Sequence, residues 1–325
     1  SAQYESITSC SFLNIGYIDT SLLHNLLEDE IHEVIRVIEH KTNHLNLHSQ
    51  ELVNIYDFGQ DVRAIISEIQ ENLSLKSAVI HSIENHAVEL YFHSIVNVND
   101  SNLFGAETLA RIPHGPNGQL IPAGMFIDIV NDYGLYQKFD MVVIQKIRNH
   151  LKEVSKKLDY VFLNLNPLSL LSKSIIDNIK QLTIEAKQHN LNVVLELTEY
   201  TLTSKLDVLK QLQTDNFFVA VDDFGTGYTN FEIVKQLSEE KLISFLKIDG
   251  SLVRSICESE TSASLLEVIL LLGNKLNLSL VLEYIEDQKV VNKLIEMFDD
   301  IHSKENVYGQ GWFFSKPETI KDFNI

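Results

Sequence analysis

From about residue 82 onward, short apolar runs alternate with longer segments whose apolar residues recur every three or four positions. The short runs read as strands: "AVELYFHSIV", "YVFLNLN", "NVVLELTE", "FFVAVDD", "FLKIDG", "SLVLEYIED", and a last short one near "YGQGWFF". The longer segments read as amphipathic helices: "AGMFIDIVNDYG", "KFDMVVIQKIRNHLKEVSKKL", "SKSIIDNIKQLTIEAKQHN", "TSKLDVLKQLQT", "NFEIVKQLSEE", "TSASLLEVILLLGNKL" and "QKVVNKLIEMF". Buried strands between amphipathic helices predict parallel βα units. About eight such units in roughly 245 residues predict an α/β fold, a (β/α)8 TIM-like barrel, for which about 250 residues is typical.

The first 80 residues carry a different pattern. "CSFLNIGYI" reads as a strand. In "TSLLHNLLEDEIHEVIRVIEH" the positions Leu23, Leu27, Ile31, Val34 and Ile38 follow helical spacing after a Thr/Ser start. A second helix is expected over "QDVRAIISEIQENL". The expected organisation is therefore a mainly helical extension over 1–80 and a barrel over 81–325. Because the stripe from Leu23 to Ile38 is costly to leave in water, the extension is expected to pack on the barrel or on a second copy. His40, His44 and His48 stand four residues apart, but the intervening Asn and Thr disfavour a helix and no carboxylate or Cys completes a ligand set. A solvated face or loop is the better reading.

Polar residues recur at one place in the barrel units. Glu107 lies in "FGAETLAR", Asn164 in "YVFLNLN", Glu196 and Glu199 in "VVLELTE", and Asp222 and Asp223 in "VAVDD". Lys247 and Asp249 lie in "FLKID", Glu283 and Glu286 in "LVLEYIE", and Gln310 in "YGQG". Each stands in the second half of a strand or just after it, and in a barrel those ends converge on one mouth. A single Glu at a strand end is usually a solvated loop residue, and Asp-Asp-x-Gly is often only a turn. Repetition at strand after strand, with apolar flanks each time, is not what that account predicts.

Several carboxylates in one low-dielectric mouth cannot all remain ionised without bound cations. Oxygen donors with one Asn suit Mg²⁺ or Mn²⁺ rather than zinc. Two adjacent Asp can serve two ions, the arrangement used for in-line displacement at phosphorus. Gly225 and Gly227 then mark a loop that approaches a ligand closely or moves.

Composition narrows the partners. The chain has 325 residues, 45% of them hydrophobic, enough for a large core. Its formal net charge of -19 argues against a nucleic-acid polymer or an anionic membrane surface. Cys10 and Cys257 make neither a disulfide framework nor a Cys-based zinc site, and fit a reducing compartment. The longest apolar stretch, "SLLEVILLLGNKLNLSLVL", is interrupted by Glu267, Asn274 and Lys275, so no membrane-spanning segment is expected here. No secretory signal is expected in its opening residues. The chain starts Ser-Ala-Gln rather than with Met, and a trimmed chain with an upstream membrane or sensor segment is compatible with that.

Seven segments in order then resemble the EAL-domain family, bacterial phosphodiesterases of cyclic di-GMP. "AETLARI" resembles that family's Glu-Ala-Leu-Leu-Arg-Trp signature, "LNLNP" its Asn-Val-Ser-Pro, and "LELTE" its Glu-Ile-Thr-Glu. "DDFGTGYTNF" is nearly its loop motif, and "LKIDGSLV" is similar to its Leu-Lys-Ile-Asp-x-Ser-Phe-Val. "LEYIED" resembles Ala-Glu-Gly-Val-Glu, and "YGQGWFFSKP" the closing Gln-Gly-Tyr-x-Phe-x-x-Pro. The resemblance covers roughly residues 82–320.

It implies that Glu107, Asn164, Glu196 and Asp222 hold one metal ion. It implies a second ion bridged by Asp222 and held by Asp223 and Glu283, with Lys247 at the attacking water as base or electrostatic anchor. Glu107, Lys247 and Glu283 would thus be the catalytic set. Glu199 would pin the 222–231 loop with its Gly225 and Gly227, and Glu286 would support the site. Arg111 would meet a substrate phosphate, with Gln310, His93 and Asp249 also on the nucleotide side. A cytoplasmic homodimer is implied as well. The chain departs from the family at His93, where Gln is usual, at Thr108 for Ala, and at Asn131 for an acid. It departs again at Leu282 and Tyr284, which replace Ala and Gly around Glu283. His93 and Tyr284 favour a rival reading, a receptor that binds cyclic di-GMP without turnover, and the intact acids oppose it. A barrel lyase with a metal-stabilised enolate also uses acids and Lys at strand ends, but the Asp-Asp pair and the motif order disfavour it.

Overall fold

A computed structural model describes residues 55–115, 117–198, 201–202, 206–213, 218–225, 231–301 and 306–323. The predicted strand over "CSFLNIGYI", the helix from Leu23 to Ile38 and the three spaced histidines lie outside those residues. The chain divides into two units, Ser1–Ser77 and Ala78–Ile325. Helix α1 (Ile55–Glu84) contains the predicted "QDVRAIISEIQENL" segment.

The second unit is a closed barrel. Its strands are β1 (Glu89–Asn97), β2 (Leu103–His114), β4 (Tyr160–Asn164), β5 (Asn192–Thr198), β6 (Phe218–Phe224), β7 (Phe245–Ile248), β8 (Ser279–Leu282) and β9 (Val307–Gly309). Strand β3 (Gln119–Pro122) extends the β2 edge, and β10 (Glu318–Thr319) pairs with β1. The order runs β1-β9-β8-β7-β6-β5-β4-β2, and β2 closes the ring on β1. Strands β2, β4 and β5 through β9 run parallel, as the alternating pattern predicts. Strand β1 is antiparallel to both its neighbours. The expectation of parallel βα units fails there because β1 reaches β2 through a short turn at 98–102, with no crossover helix to reverse the chain.

The helices form the outer layer: α2 (Ile127–Asp132), α3 (Tyr136–Val154), α4 (Lys173–Gln188), α5 (Leu206–Gln213), α6 (Phe231–Glu239), α7 (Gly250–Ser255), α8 (Glu260–Leu276) and α9 (Gln288–Ile301). Helix α4 shows why they pack inward. It buries Ile175, Ile179, Leu182, Thr183 and Ala186, one face at 3.6-residue spacing, and each buried Ile or Leu contributes roughly 1.5–3 kcal/mol. Helix α8 starts on Ser259, whose hydroxyl accepts from the Ser262 N–H, and stops on Asn277 in the left-handed region at φ 54°.

Inside the barrel, Ile95, Phe162, Val194, Ala220, Phe245 and Val281 form one apolar layer. Phe104 stacks between Tyr160 and Tyr308, with ring centroids at 4.3 Å and 3.8 Å, and seals the end where the parallel strands begin. Gly105 leaves room for that seal, since a Cβ there would stand 2.6 Å from the Tyr160 carbonyl oxygen.

Candidate active site

Alternation along the strands sets the site directly above the apolar layer. Two residues after Phe162 comes Asn164, after Val194 Glu196, after Ala220 Asp222, after Phe245 Lys247, and after Val281 Glu283. On antiparallel β1 the step runs backwards, so His93 precedes Ile95 by two and pairs with Glu107 of β2. Glu283 and Gln310 lie just past their strands but keep the ladder: Glu283 N–H donates to Ile248 O at 3.1 Å, and Gln310 N–H to Leu282 O at 2.9 Å.

The adjacent acids are accommodated by a bulge. Val221 pairs with Leu246 and Phe224 with Ile248, so Asp222 and Asp223 together oppose the single residue Lys247. In a regular strand the second Asp would point out of the barrel. The extra residue redirects it, with Asp223 at φ 55°, a left-handed conformation that Asp tolerates. Its pKa is raised by burial and then by the charges of Asp222 and Asp249, so it shares the field of the mouth.

Lys247 is the centre. Its buried ammonium lies 2.7 Å from Glu283 Oε1, 2.9 Å from Glu196 Oε1, 3.0 Å from Asp222 Oδ1 and 3.7 Å from Glu107 Oε1. Burial disfavours its charge, but the four carboxylates, Glu107 and Glu196 foremost, hold the proton far more firmly than usual. One cation cannot satisfy four anions. Burial therefore pushes Glu196 well above the usual carboxylate range, and Glu283 up to about 7. For Glu107 burial is outweighed by Lys247 and by hydrogen bonds from Gln310 Nε2 and Asn164 Nδ2, each 2.7 Å, and its pKa stays low.

Oε2 of Glu196 and Oε1 of Gln310 are buried with no hydrogen-bond partner, while Oε1 of Glu196 and Oδ1 of Asp222 meet only the shared Lys247 ammonium, at 2.9 Å and 3.0 Å. Buried acceptors of this kind call for a cation. Among the described residues no three His, Cys, Asp or Glu side chains already stand close enough together to form a ligand set. The donors, carboxylates with one amide and no sulfur, are those of Mg²⁺ or Mn²⁺.

The remaining sequence expectations fall around this cage. Arg111 lies over the Tyr91 ring at 5.6 Å and donates from Nη1 to Ala110 O at 2.9 Å; burial lowers its pKa. Tyr91, two residues before His93 on the same strand face, went unnoticed in the sequence, where only the reversed direction of β1 would have revealed it. His93 donates from Nε2 to Ser315 O at 3.2 Å, and burial lowers its pKa, so the ring is neutral. Asp249 caps α7, accepting from the Ser251 N–H at 2.8 Å. Thr108 alternates with Glu107 and is buried away from the mouth. Glu286 is exposed. Gly225 directly follows β6 at φ 105°, while Glu199 and Gly227 lie outside the described residues.

Asn131 also proves to be part of the scaffold. Its Oδ1 accepts from Asn166 Nδ2 at 2.7 Å, and Asn166 donates its backbone N–H to the buried Asp140 at 3.1 Å. This network fixes the chain two residues beyond Asn164. Tyr284 does not enter the cage. It sits at φ 57° with its ring against Gly250, where a Cβ would come within 2.6 Å of Tyr284 Cβ, and against the Arg254 guanidinium one turn along the same helix, 4.6 Å from the ring centroid.

A family model described as the EAL domain matches residues 76–317. The cyclic di-GMP phosphodiesterase PdeA of Borreliella burgdorferi is 26% identical over 317 residues, 94% of this chain and 44% of that protein. The probable cyclic di-GMP phosphodiesterase PdeG of Escherichia coli is 28% identical over 253 residues, 74% of this chain and 46% of that protein. The chain thus spans about half the length of these curated relatives. The solved PaMucR phosphodiesterase in complex with c-di-GMP superposes with a TM-score of 0.63 at 23% identity, over 76% of this chain and 98% of that one, a likeness of fold.

Proposed function

This chain belongs to the EAL domain family, and on that footing we propose that it is a phosphodiesterase that hydrolyses cyclic di-GMP to linear pGpG. The observation that supports this best is the cage itself: four carboxylates share one ammonium, and Oε2 of Glu196 beside them is buried with no partner. Glu107, Asn164, Glu196 and Asp222 would hold one divalent ion, and Asp222, Asp223 and Glu283 a second. When bound, two Mg²⁺ or Mn²⁺ ions bring the pKa of a water near neutrality and offset the charge that develops at phosphorus.

The chain's own residues do the rest. Water attacks one phosphorus in line, the bond to the 3′ oxygen breaks, and that oxygen takes up a proton. The firmly held proton of Lys247 supports an electrostatic anchor for the attacking water rather than a base. Gln310 and Asn164 keep Glu107 ionised and oriented. Arg111, braced on Tyr91, meets a phosphate oxygen, and the neutral His93 with Gln310 lines the nucleotide side. Asp249 acts through the first turn of α7, and Glu286, Glu199, Gly225 and Gly227 support the loops.

On this reading the protein works as a cytoplasmic homodimer, and the role of residues 1–80 is left open. Among the described residues no helix is long and apolar enough to cross a membrane. Incubation with cyclic di-GMP and Mn²⁺ or Mg²⁺, followed by chromatographic separation, should yield pGpG, and Ca²⁺ should support little turnover because its longer bonds misplace the water. Tight binding of cyclic di-GMP with no pGpG in either metal would leave the receptor reading in its place.

A further inference from the structure

Tyr284 directly follows Glu283, and it is a bulky residue held in the left-handed region at φ 57°. Such a conformation persists only where the surroundings enforce it, and it clusters at sites of function. Here the enforcement is visible. The ring lies along one flank of α7, covering Gly250, where no larger residue fits, and resting against Arg254 one turn later at 4.6 Å. The residue is nonetheless 50% exposed. Helix α7 begins at its Asp249 cap, immediately past the end of β7, so the ring stands on the rim of the mouth beside the Glu283 side of the cage.

We propose that this ring, braced by Arg254, is a stacking platform for a purine base of the nucleotide; the inference rests on the phosphodiesterase reading and adds a base subsite to it. The chemistry fits a base better than a purely structural role. A flat π face fixed from behind by a helix loses little freedom when a second ring settles on it, and stacking of bases on aromatic side chains is strong and tolerant of base identity. Arg254 places a positive charge on the rim of a chain of net charge -19, where an anionic dinucleotide must approach.

The test uses cyclic di-GMP and its analogue carrying one 2-aminopurine, whose fluorescence falls when the base stacks. Full-length wild type and Tyr284→Phe should bind with matching affinity and quench the analogue. Tyr284→Leu should bind about tenfold more weakly, in line with the cost of losing one stacked base, and should leave the analogue bright. Tyr284→Gly, which relieves the backbone conformation, should show the same loss and guards against a Leu variant that fails to fold. Unchanged affinity and quenching in Leu and Gly, with wild type still turning over cyclic di-GMP, would overturn the platform and leave the phosphodiesterase standing. Wild type that binds neither dinucleotide would overturn both.

Discussion

The ammonium of Lys247 stands 2.9 Å from Oε1 of Glu196, and both residues are buried in the mouth of the barrel. The lysine thus holds the acids together in the state shown. Replacing Lys247 by Met should strand the carboxylates without a counter-charge and lower stability by about 3–5 kcal/mol, the usual cost of breaking a buried pair. Mn²⁺ should restore more stability to the variant than it adds to wild type, because ions then supply the only neutralisation. Thermal unfolding with and without Mn²⁺ measures this, and equal Mn²⁺ shifts in the two proteins would count against it. Turnover should be lost in either case.

Glu283 and Glu107 should separate in behaviour. Glu283→Gln is expected to abolish pGpG formation while nucleotide affinity stays within a few fold, since on the proposed reading Glu283 would hold the second ion and not the first. Glu107→Ala should lose both, because it removes the acceptor on which Asn164 and Gln310 converge. Calorimetry with cyclic di-GMP beside product chromatography distinguishes the two patterns.

Asp140 makes stability depend on pH. Burial raises its pKa from 3.8 to about 7, and the Ser169 hydroxyl and then the Asn166 N–H offset only part of that. The folded protein therefore holds this proton more tightly than the unfolded chain does. The contribution is full below about pH 4, declines as pH rises, and is gone above about 7. Asp140→Asn keeps an acceptor for Asn166 and should flatten this part of the profile, gaining most at pH 8. Urea midpoints at pH 5 and pH 8 test it; equal slopes in variant and wild type would exclude Asp140 as the source.

Gly311 lies where backbones meet. A Cβ there would come within 2.6 Å of the Ile285 carbonyl carbon, and Ile285 N–H donates to Gln310 O at 3.0 Å. Gly311→Ala should cost about 1–3 kcal/mol through overpacking and shift Gln310 off Glu107, so the melting temperature and kcat should fall together. Full activity in a destabilised variant would show that Gln310 is held some other way.

The barrel and most of its acids were legible because both depend on a period of two. Apolar runs that end in Asn164, Glu196, Asp222, Lys247 and Glu283 place an apolar layer and a polar layer on one face, and that pattern survives in a linear reading. Pairing does not. The bulge that sets Asp222 and Asp223 together opposite Lys247 is a relation between β6 and β7, and the reversal of β1 that brings Tyr91 and His93 to the mouth is a relation between β1 and both its neighbours. The Asn131–Asn166–Asp140 network joins residues 26 and 35 positions apart, too far for any local pattern. Tyr284 could be singled out as an unusual residue at a Gly position, but its backbone angle and its fit to Gly250 needed the fold.

The stacked rings of Phe104, Tyr160 and Tyr308, with Phe162 and Phe245 above them, have a consequence for traffic. They close one end of the barrel, so water, ions and nucleotide all use the same doorway. On the proposed reading, ions held by the acids would share that doorway with the nucleotide, so a chelator should strip them more slowly from nucleotide-loaded protein than from free protein.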